Sequence, residues 1–155
     1  MTAQRERPSR LLKLGFKFPT WLYRAHLGFV FGGRIIAIVH HGRKSAKRYV
    51  SGLEILTRHE GEMLVFSAWG THADWYRNIE AGGVDELWDR RERYTDVSFR
   101  KIDADEAFDT LARYEQEHPR TAKQTLTRML PGYDFSDESR RQLADEGTIV
   151  AFKPA

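Results

Sequence analysis

Read for its alternation of apolar and polar positions, the chain breaks into short segments separated by turn residues. "RIIAIVHH", Arg34 to His41, is β-branched, uninterrupted and short, which predicts a buried strand. "GRKSAK" turns the chain, and "RYVSGLEILT" predicts a partner strand with Tyr49, Ser51, Leu53 and Ile55 on one face. "HEGE" is a tight turn into "MLVFSAW", a third strand that completes a meander. Thr71 with Asp74 three residues on predicts a helix start of the capping-box type. Trp75 and Ile79 then line one face of "THADWYRNIEAGG", and Gly82 with Gly83 close it.

Two further strands joined by a polar turn are expected in "VDELWD" and "RYTDVSFRKI". Asp103 with Glu106 opens another helix, whose buried stripe is marked by Phe108 and Leu111. "PRTAKQTLTRML" and "SDESRRQLADEG" read as helices and "TIVAF" as a closing strand. Upstream, residues 5–33 predict two short helices separated at Pro19, the second ending near Gly28. The sum is an antiparallel sheet with N-terminal, inserted and C-terminal helices: α+β, or a small barrel.

Composition narrows this picture. At 155 residues the chain fits a single domain, 1–155, with a basic N-terminal segment over 1–18. Zero cysteines exclude disulfides, thiolate nucleophiles and Cys-ligated metal sites. The apolar run in "GGRIIAIVHH" is far shorter than the roughly 20 residues needed to span a bilayer, and no secretory signal is read. The expectation is a cytoplasmic protein, with contact at the inner face of the membrane through the basic N-terminus as the alternative placement. A net charge of +3 favours an anionic partner but falls short of a nucleic-acid footprint.

Most familiar chemistry is excluded by spacing. His40 and His41 are adjacent on a strand, point to opposite faces and cannot jointly hold one metal. Neither HExxH nor another metal-spaced cluster occurs, so no metal is expected. "GFVFGG" precedes a strand instead of opening a helix after one, which sets aside a dinucleotide fingerprint, and there is no Walker lysine or G-x-S-x-G elbow.

What remains is the hairpin. Arg43, Lys44, Lys47 and Arg48 crowd one turn, where like charges repel and an anion would supply charge-assisted hydrogen bonds. The next strand ends in "FSAWG" and runs into "THADWYRNI", so aromatic side chains are expected at the same sheet end. A planar cofactor bearing a phosphate needs both.

In order and spacing, "HHGRKSAKRYVSGLEIL", "MLVFSAWG" and "ADWYRNIEAG" resemble the deazaflavin-dependent nitroreductase family of actinobacteria, over roughly residues 20 to 153. The resemblance implies a split β-barrel, FMN-binding-like, and an oxidoreductase that moves hydride from reduced coenzyme F420, an 8-hydroxy-5-deazaflavin, to an electron-poor acceptor: an enone, quinone or nitro compound. It implies that Arg43, Lys44 and Ser45 hold the coenzyme's phosphate and acidic tail, and that Tyr49, Val50 and Ser51 line the strand beside it. Phe66, Ser67, Ala68 and Trp69 would meet the ring, and Trp75, Tyr76 and Asn78 would close the pocket.

Three positions depart from the family pattern. Ala46 stands for its turn glycine, Tyr49 for an arginine whose charge Arg48, one residue earlier, is expected to supply, and Gly52 for a proline. In place of a late tyrosine cluster the chain offers His118, Thr121, Gln124 and Tyr133, of which His118 and Tyr133 are candidate proton donors. One rival reading keeps the fold and changes the ligand, an FMN or haem binder on the same barrel; the other, drawn from the basic and aromatic N-terminus, is a peripheral coenzyme- or lipid-binding protein without nitroreductase activity.

Overall fold

Five aliphatic residues in an unbroken run, Ile35 to Val39, followed by two histidines give Ile35–His41 the extended conformation that such a segment prefers when both faces are covered, forming strand β1. The computed structural model describes residues 33–155, so the two expected N-terminal helices and the basic segment 1–18 lie outside the described residues. These residues form two compact units, one of residues 33–54 and 74–97 with Ala155, the other of 55–73 and 98–154. Strand β2 (Arg48–His59) gives its first half to one unit and its second half to the other.

In the first unit β1 pairs antiparallel with β2, from Ile35↔Glu54 to His41↔Arg48, and on its other edge with β4 (Glu86–Asp89). Strand β5 (Glu92–Tyr94) pairs with β4. Helix α1 (Asp74–Gly82) packs on β1 and buries Tyr76, Asn78 and Ile79. On the opposite face Ala37, Val39 and Trp88 form a buried cluster with Ile35 and Val50 against it.

In the second unit β3 (Glu62–Phe66) lies between β2 and β7 (Ile149–Pro154), and β6 (Val97–Lys101) neighbours β7. The helices α2 (Ala104–Glu117), α3 (Pro119–Met129) and α4 (Asp137–Glu146) share one core with this sheet, built from Leu56, Leu64, Leu111, Tyr114, Leu126 and Ile149 among others. The hydrogen-bonded strand order is β5-β4-β1-β2-β3-β7-β6. The fold is therefore the antiparallel α+β arrangement with inserted and C-terminal helices that the split-barrel expectation describes.

Local departures from the expected elements have physical reasons. The alternation Tyr49, Ser51, Leu53, Ile55 stops at a bulge, where Ile55 faces Val65 and Thr57 faces Leu64, so that Ile55, Leu56 and Thr57 are buried in succession. Thr71 does not cap α1. It sits in a short 3-10 turn, Gly70–His72, and the α-helix begins three residues later at Asp74. The stretch expected to hold two strands holds three: the expected turn falls at Arg90, which adopts a left-handed φ of 54°, and a bend at Thr95 and Asp96 divides the second expected strand into β5 and β6. Asp103 caps α2 as expected, accepting from Glu106 N–H at 2.8 Å, while the Glu106 carboxylate binds Arg100 instead of reaching back to the cap.

A polar clasp pins the helices of the second unit. The Arg140 guanidinium donates to both oxygens of Glu115, at 3.2 and 2.5 Å, and to Asp137 at 2.6 Å, with both Arg140 and Glu115 only 11% exposed. The Tyr133 hydroxyl donates to the same Glu115 carboxylate. Replacing one partner of a buried pair strands the other charge. Arg140→Met is expected to lower unfolding free energy by about 3 kcal/mol in urea titrations; a loss under about 1 kcal/mol would show the clasp to be incidental.

Candidate functional site

The site is built where β1 turns into β2. Gly42 N–H donates to Lys47 C=O and Ala46 N–H to Gly42 C=O, both at 2.8 Å, closing the turn. Ala46 takes a φ of 55°, the left-handed region that favours glycine, which accounts for the glycine of the family pattern at this place. Gly42 has a different reason. A Cβ there would lie 2.4 Å from Ser45 Oγ and 2.9 Å from the Tyr49 ring, both of which fold over the turn, and Ser45 Oγ meets Tyr49 Oη at 3.3 Å.

The four cations of the hairpin have different fates. Arg43 turns inward: its backbone N–H and its Nη1 both donate to Asn78 Oδ1, at 3.1 and 2.9 Å, and its Nη2 donates to Asp74 Oδ1 at 3.2 Å. Its buried Nε has no hydrogen-bond partner among the described residues. Arg48 lies on the other face, 3.5 Å from Glu86 and over the Trp88 ring at 5.8 Å. Lys44 and Lys47 are exposed, and among the described residues no side-chain hydrogen bond or ion pair holds either ammonium.

Strand periodicity sorts the remaining residues of β2. His40 opposes Tyr49 and Ile38 opposes Ser51, so Tyr49, Ser51 and His40 share one face, whereas Arg48 and Val50 look the other way. Val50 belongs to the apolar cluster around Trp88. Tyr49 is 44% exposed, the one large hydrophobic side chain so presented among the described residues, and its ring stacks on His40 at 6.0 Å and 25°.

His40 is the residue that motif reasoning passed over. It is 2% exposed, its Nδ1 faces Asn78 Nδ2 at 3.3 Å and its Nε2 faces Ser51 Oγ at 2.9 Å. Burial pushes its pKa down to about 4, with the Asp85 carboxylate opposing and His41 adding to the shift. His41, on the opposite face, pairs with Asp85 at 2.6 Å. Both histidines thus find polar partners on opposite faces of the strand, and the signal for the buried one was the fully apolar run that precedes it.

In α1, Trp75 is half-buried and meets Tyr76 edge-on at 5.8 Å. Tyr76 is buried, its phenol raised by desolvation and then by Glu80, to which it donates. Asn78 is buried and its amide is committed to Arg43 and His40, so it fastens the hairpin to α1.

The other expected site residues lie in the second unit. Past Phe66, Ser67 N–H donates to Thr148 C=O at 2.9 Å and Ser67 Oγ to Gly70 C=O at 2.7 Å, which fixes a tight turn on which Ala68 and Trp69 stay half-buried. Phe66 packs against Gly147, where a Cβ would come within 2.8 Å of its ring. His118 occupies the junction of α2 and α3, its N–H donating to Tyr114 C=O at 2.9 Å, so it ends one helix immediately before Pro119 opens the next. The Tyr133 phenol is buried and raised above its ordinary value, first by desolvation and then by its bond to Glu115, which makes it reluctant to release a proton. Among the described residues no group of three or more His, Asp or Glu side chains is gathered to hold a metal, and no helix is long and apolar enough to cross a membrane.

No family model matches the chain. No curated protein matches it either. Among solved structures it is similar to one described as a domain-swapped dimer, at 15% identity and TM-score 0.48, covering 85% of this chain and 97% of the other. A second is an F420-H2 dependent reductase, FDR-A, at 18% identity and TM-score 0.43, covering 76% and 93%. Likeness at this level carries no argument, and what the site can do rests on its own residues.

Two outcomes follow from this geometry. Ala46→Gly removes a left-handed non-glycine residue at small entropic cost, and a gain of about 0.5 to 1 kcal/mol is expected in urea unfolding; a destabilised variant would refute the strain. Because folded His40 resists protonation, its contribution is complete above pH 6.5 and declines as pH falls toward 4, where unfolded chains are already charged. The full shift corresponds to on the order of 3 kcal/mol. His40→Gln should flatten the stability difference measured between pH 7 and pH 4.5, and a slope equal to wild type would contradict the buried neutral imidazole.

Proposed function

We propose that this chain is an F420H2-dependent reductase acting on an electron-poor organic acceptor of the enone, quinone or nitro class. The observation that carries the reading is the hairpin: two ammonium groups, Lys44 and Lys47, have no partner among the described residues and lie on the same turn as an exposed aromatic ring, Tyr49, a turn fastened by the Arg43–Asn78 clasp. Unpaired cations call for an anion, and an exposed ring calls for a planar partner. The coenzyme offers a phosphate, carboxylates and a deazaflavin ring, so the residues present fit the group.

Hydride chemistry is what the coenzyme supplies when bound, which leaves no need for a nucleophile or a triad on the chain. Lys44 and Lys47 attract and hold the acidic tail. Tyr49, backed by the His40 ring, presents a fixed apolar surface. Arg43 supports this arrangement from beneath, its guanidinium being engaged by Asn78 and Asp74. His118, half-buried at a helix junction and free of a tight hydrogen-bonded lock of the Tyr133 kind, is the better placed of the two proton donors to exchange with water.

Titration with oxidised coenzyme F420 tests the reading. Removing one charge-assisted contact is expected to cost roughly 1.5 to 3 kcal/mol, so Lys44→Ala should bind the coenzyme about tenfold or more weakly, with thermal stability unchanged because its side chain is exposed and holds no partner among the described residues. Unaltered affinity in the folded variant would return the hairpin to a solvated surface turn. Tighter binding of FMN than of F420, seen in the absorbance of the bound cofactor, would move the chain to the flavin-binding reading.

A further inference from the structure

We propose that the Ser51 hydroxyl is a ligand-facing hydrogen-bond donor whose proton is directed outward by a one-way relay from Arg43 through Asn78 and His40, and that it takes an acceptor oxygen of the bound ligand. The inference rests on the reading that this face carries the coenzyme, and it adds the polarity of one contact.

Each step of the relay fixes the next. A guanidinium is a donor only, and Arg43 places both its backbone N–H and its Nη1 on the same oxygen of Asn78. The amide orientation is thereby set, with Oδ1 accepting twice and Nδ2 turned to His40 at 3.3 Å. An amide NH₂ donates, so His40 Nδ1 accepts. A neutral imidazole carries its one proton on the remaining nitrogen, and Nε2–H donates to Ser51 Oγ at 2.9 Å. With that oxygen accepting from the ring, the hydroxyl proton of Ser51 has no acceptor among the described residues.

Ser51 is half-buried and shares a strand face with the exposed Tyr49 ring two residues away. A chain of donors starting at a permanent cation polarises its last member, which makes this hydroxyl a stronger donor than an isolated serine. It suits a carbonyl, phosphate or carboxylate oxygen and is mismatched to an ammonium or amide N–H. Arg43, Asn78 and His40 are positioning residues in this arrangement, and Ser51 is the one that touches the ligand.

Nitrogen-15 NMR of the ligand-free, full-length protein tests the relay directly. The His40 ring should be neutral at pH 7 with its proton on Nε2; a proton on Nδ1, or a doubly protonated ring, overturns the proposal. Titration with oxidised coenzyme F420 tests the contact. Ser51→Ala is expected to weaken binding roughly five- to tenfold, while Ser51→Thr, which keeps the hydroxyl, stays within about twofold of wild type. Equal affinity in Ser51→Ala, or equal losses in both variants, overturns the ligand-facing role. Wild-type protein that fails to bind the coenzyme overturns the coenzyme reading and the ligand assigned here together, whereas a wrong tautomer in protein that does bind it sinks this proposal alone.

Discussion

One amide oxygen, Asn78 Oδ1, receives two hydrogen bonds from Arg43 and so ties the β1–β2 turn to the middle of helix α1. The backbone bond fixes where the turn sits, and the guanidinium bond fixes which way its first cation points. Were Arg43 to point outward, three like charges would crowd a six-residue turn, and the carboxamide would be left buried without its partner, a cost of about 1 to 3 kcal/mol. With Arg43 turned in, the repulsion at the tip falls to two lysines, and those two are the ones presented to solvent. The clasp therefore does two jobs: it holds helix to sheet within the first unit, and it separates a structural charge from the solvent-facing ones.

The same clasp makes a buried histidine tolerable. An imidazole at the end of an apolar strand costs free energy unless both ring nitrogens are satisfied. Asn78 satisfies one and Ser51 the other, and burial keeps the ring uncharged. Flatness is a further consequence: the ring lies nearly parallel to Tyr49, giving the exposed tyrosine a rigid backing. Polar satisfaction in the interior and an aromatic surface outside are two sides of one packing decision, made at consecutive register positions of β1 and β2.

How much of this was legible in the residues varies with the physics involved. Strand β1 was legible because an unbroken β-branched run has few other conformations to adopt, and α2 because Asp103 at the cap is a strong local signal. The start of α1 was not, since Thr71 and Asp74 have capping-box spacing but the chain inserts a 3-10 turn anchored by Ser67 and Gly70, a contact that spacing does not encode. The bulge at Leu56 was hidden for a similar reason: alternation predicts a face until an extra residue shifts it. At the site, the hairpin cations were visible as a cluster. Their division into an inward arginine, an arginine on the far face and two outward lysines was not, because it depends on an asparagine 35 residues along the chain from Arg43. His40 was legible only as a strand residue, for the same long-range reason.

The sorting of charge also constrains how an anion can be held here. Guanidinium groups bind phosphate through two fixed donors, and both arginines of the hairpin already direct theirs at protein carboxylates or an amide. What remains are ammonium groups on flexible stems, which act as point charges without demanding one orientation. Under the proposed reading, anion binding by Lys44 and Lys47 would accordingly be tolerant of the geometry of an acidic tail and sensitive to ionic strength, because exposed charges are screened over about 10 Å at 0.1 M salt. Selectivity would then come from the rigid part of the face, the Tyr49 ring on its imidazole backing and the Ser51 hydroxyl beside it. On the proposed reading, a turn built this way would attract anions broadly with its tip and discriminate with its base, which would place the specificity of the site in the buried relay and not in the visible cluster of charge.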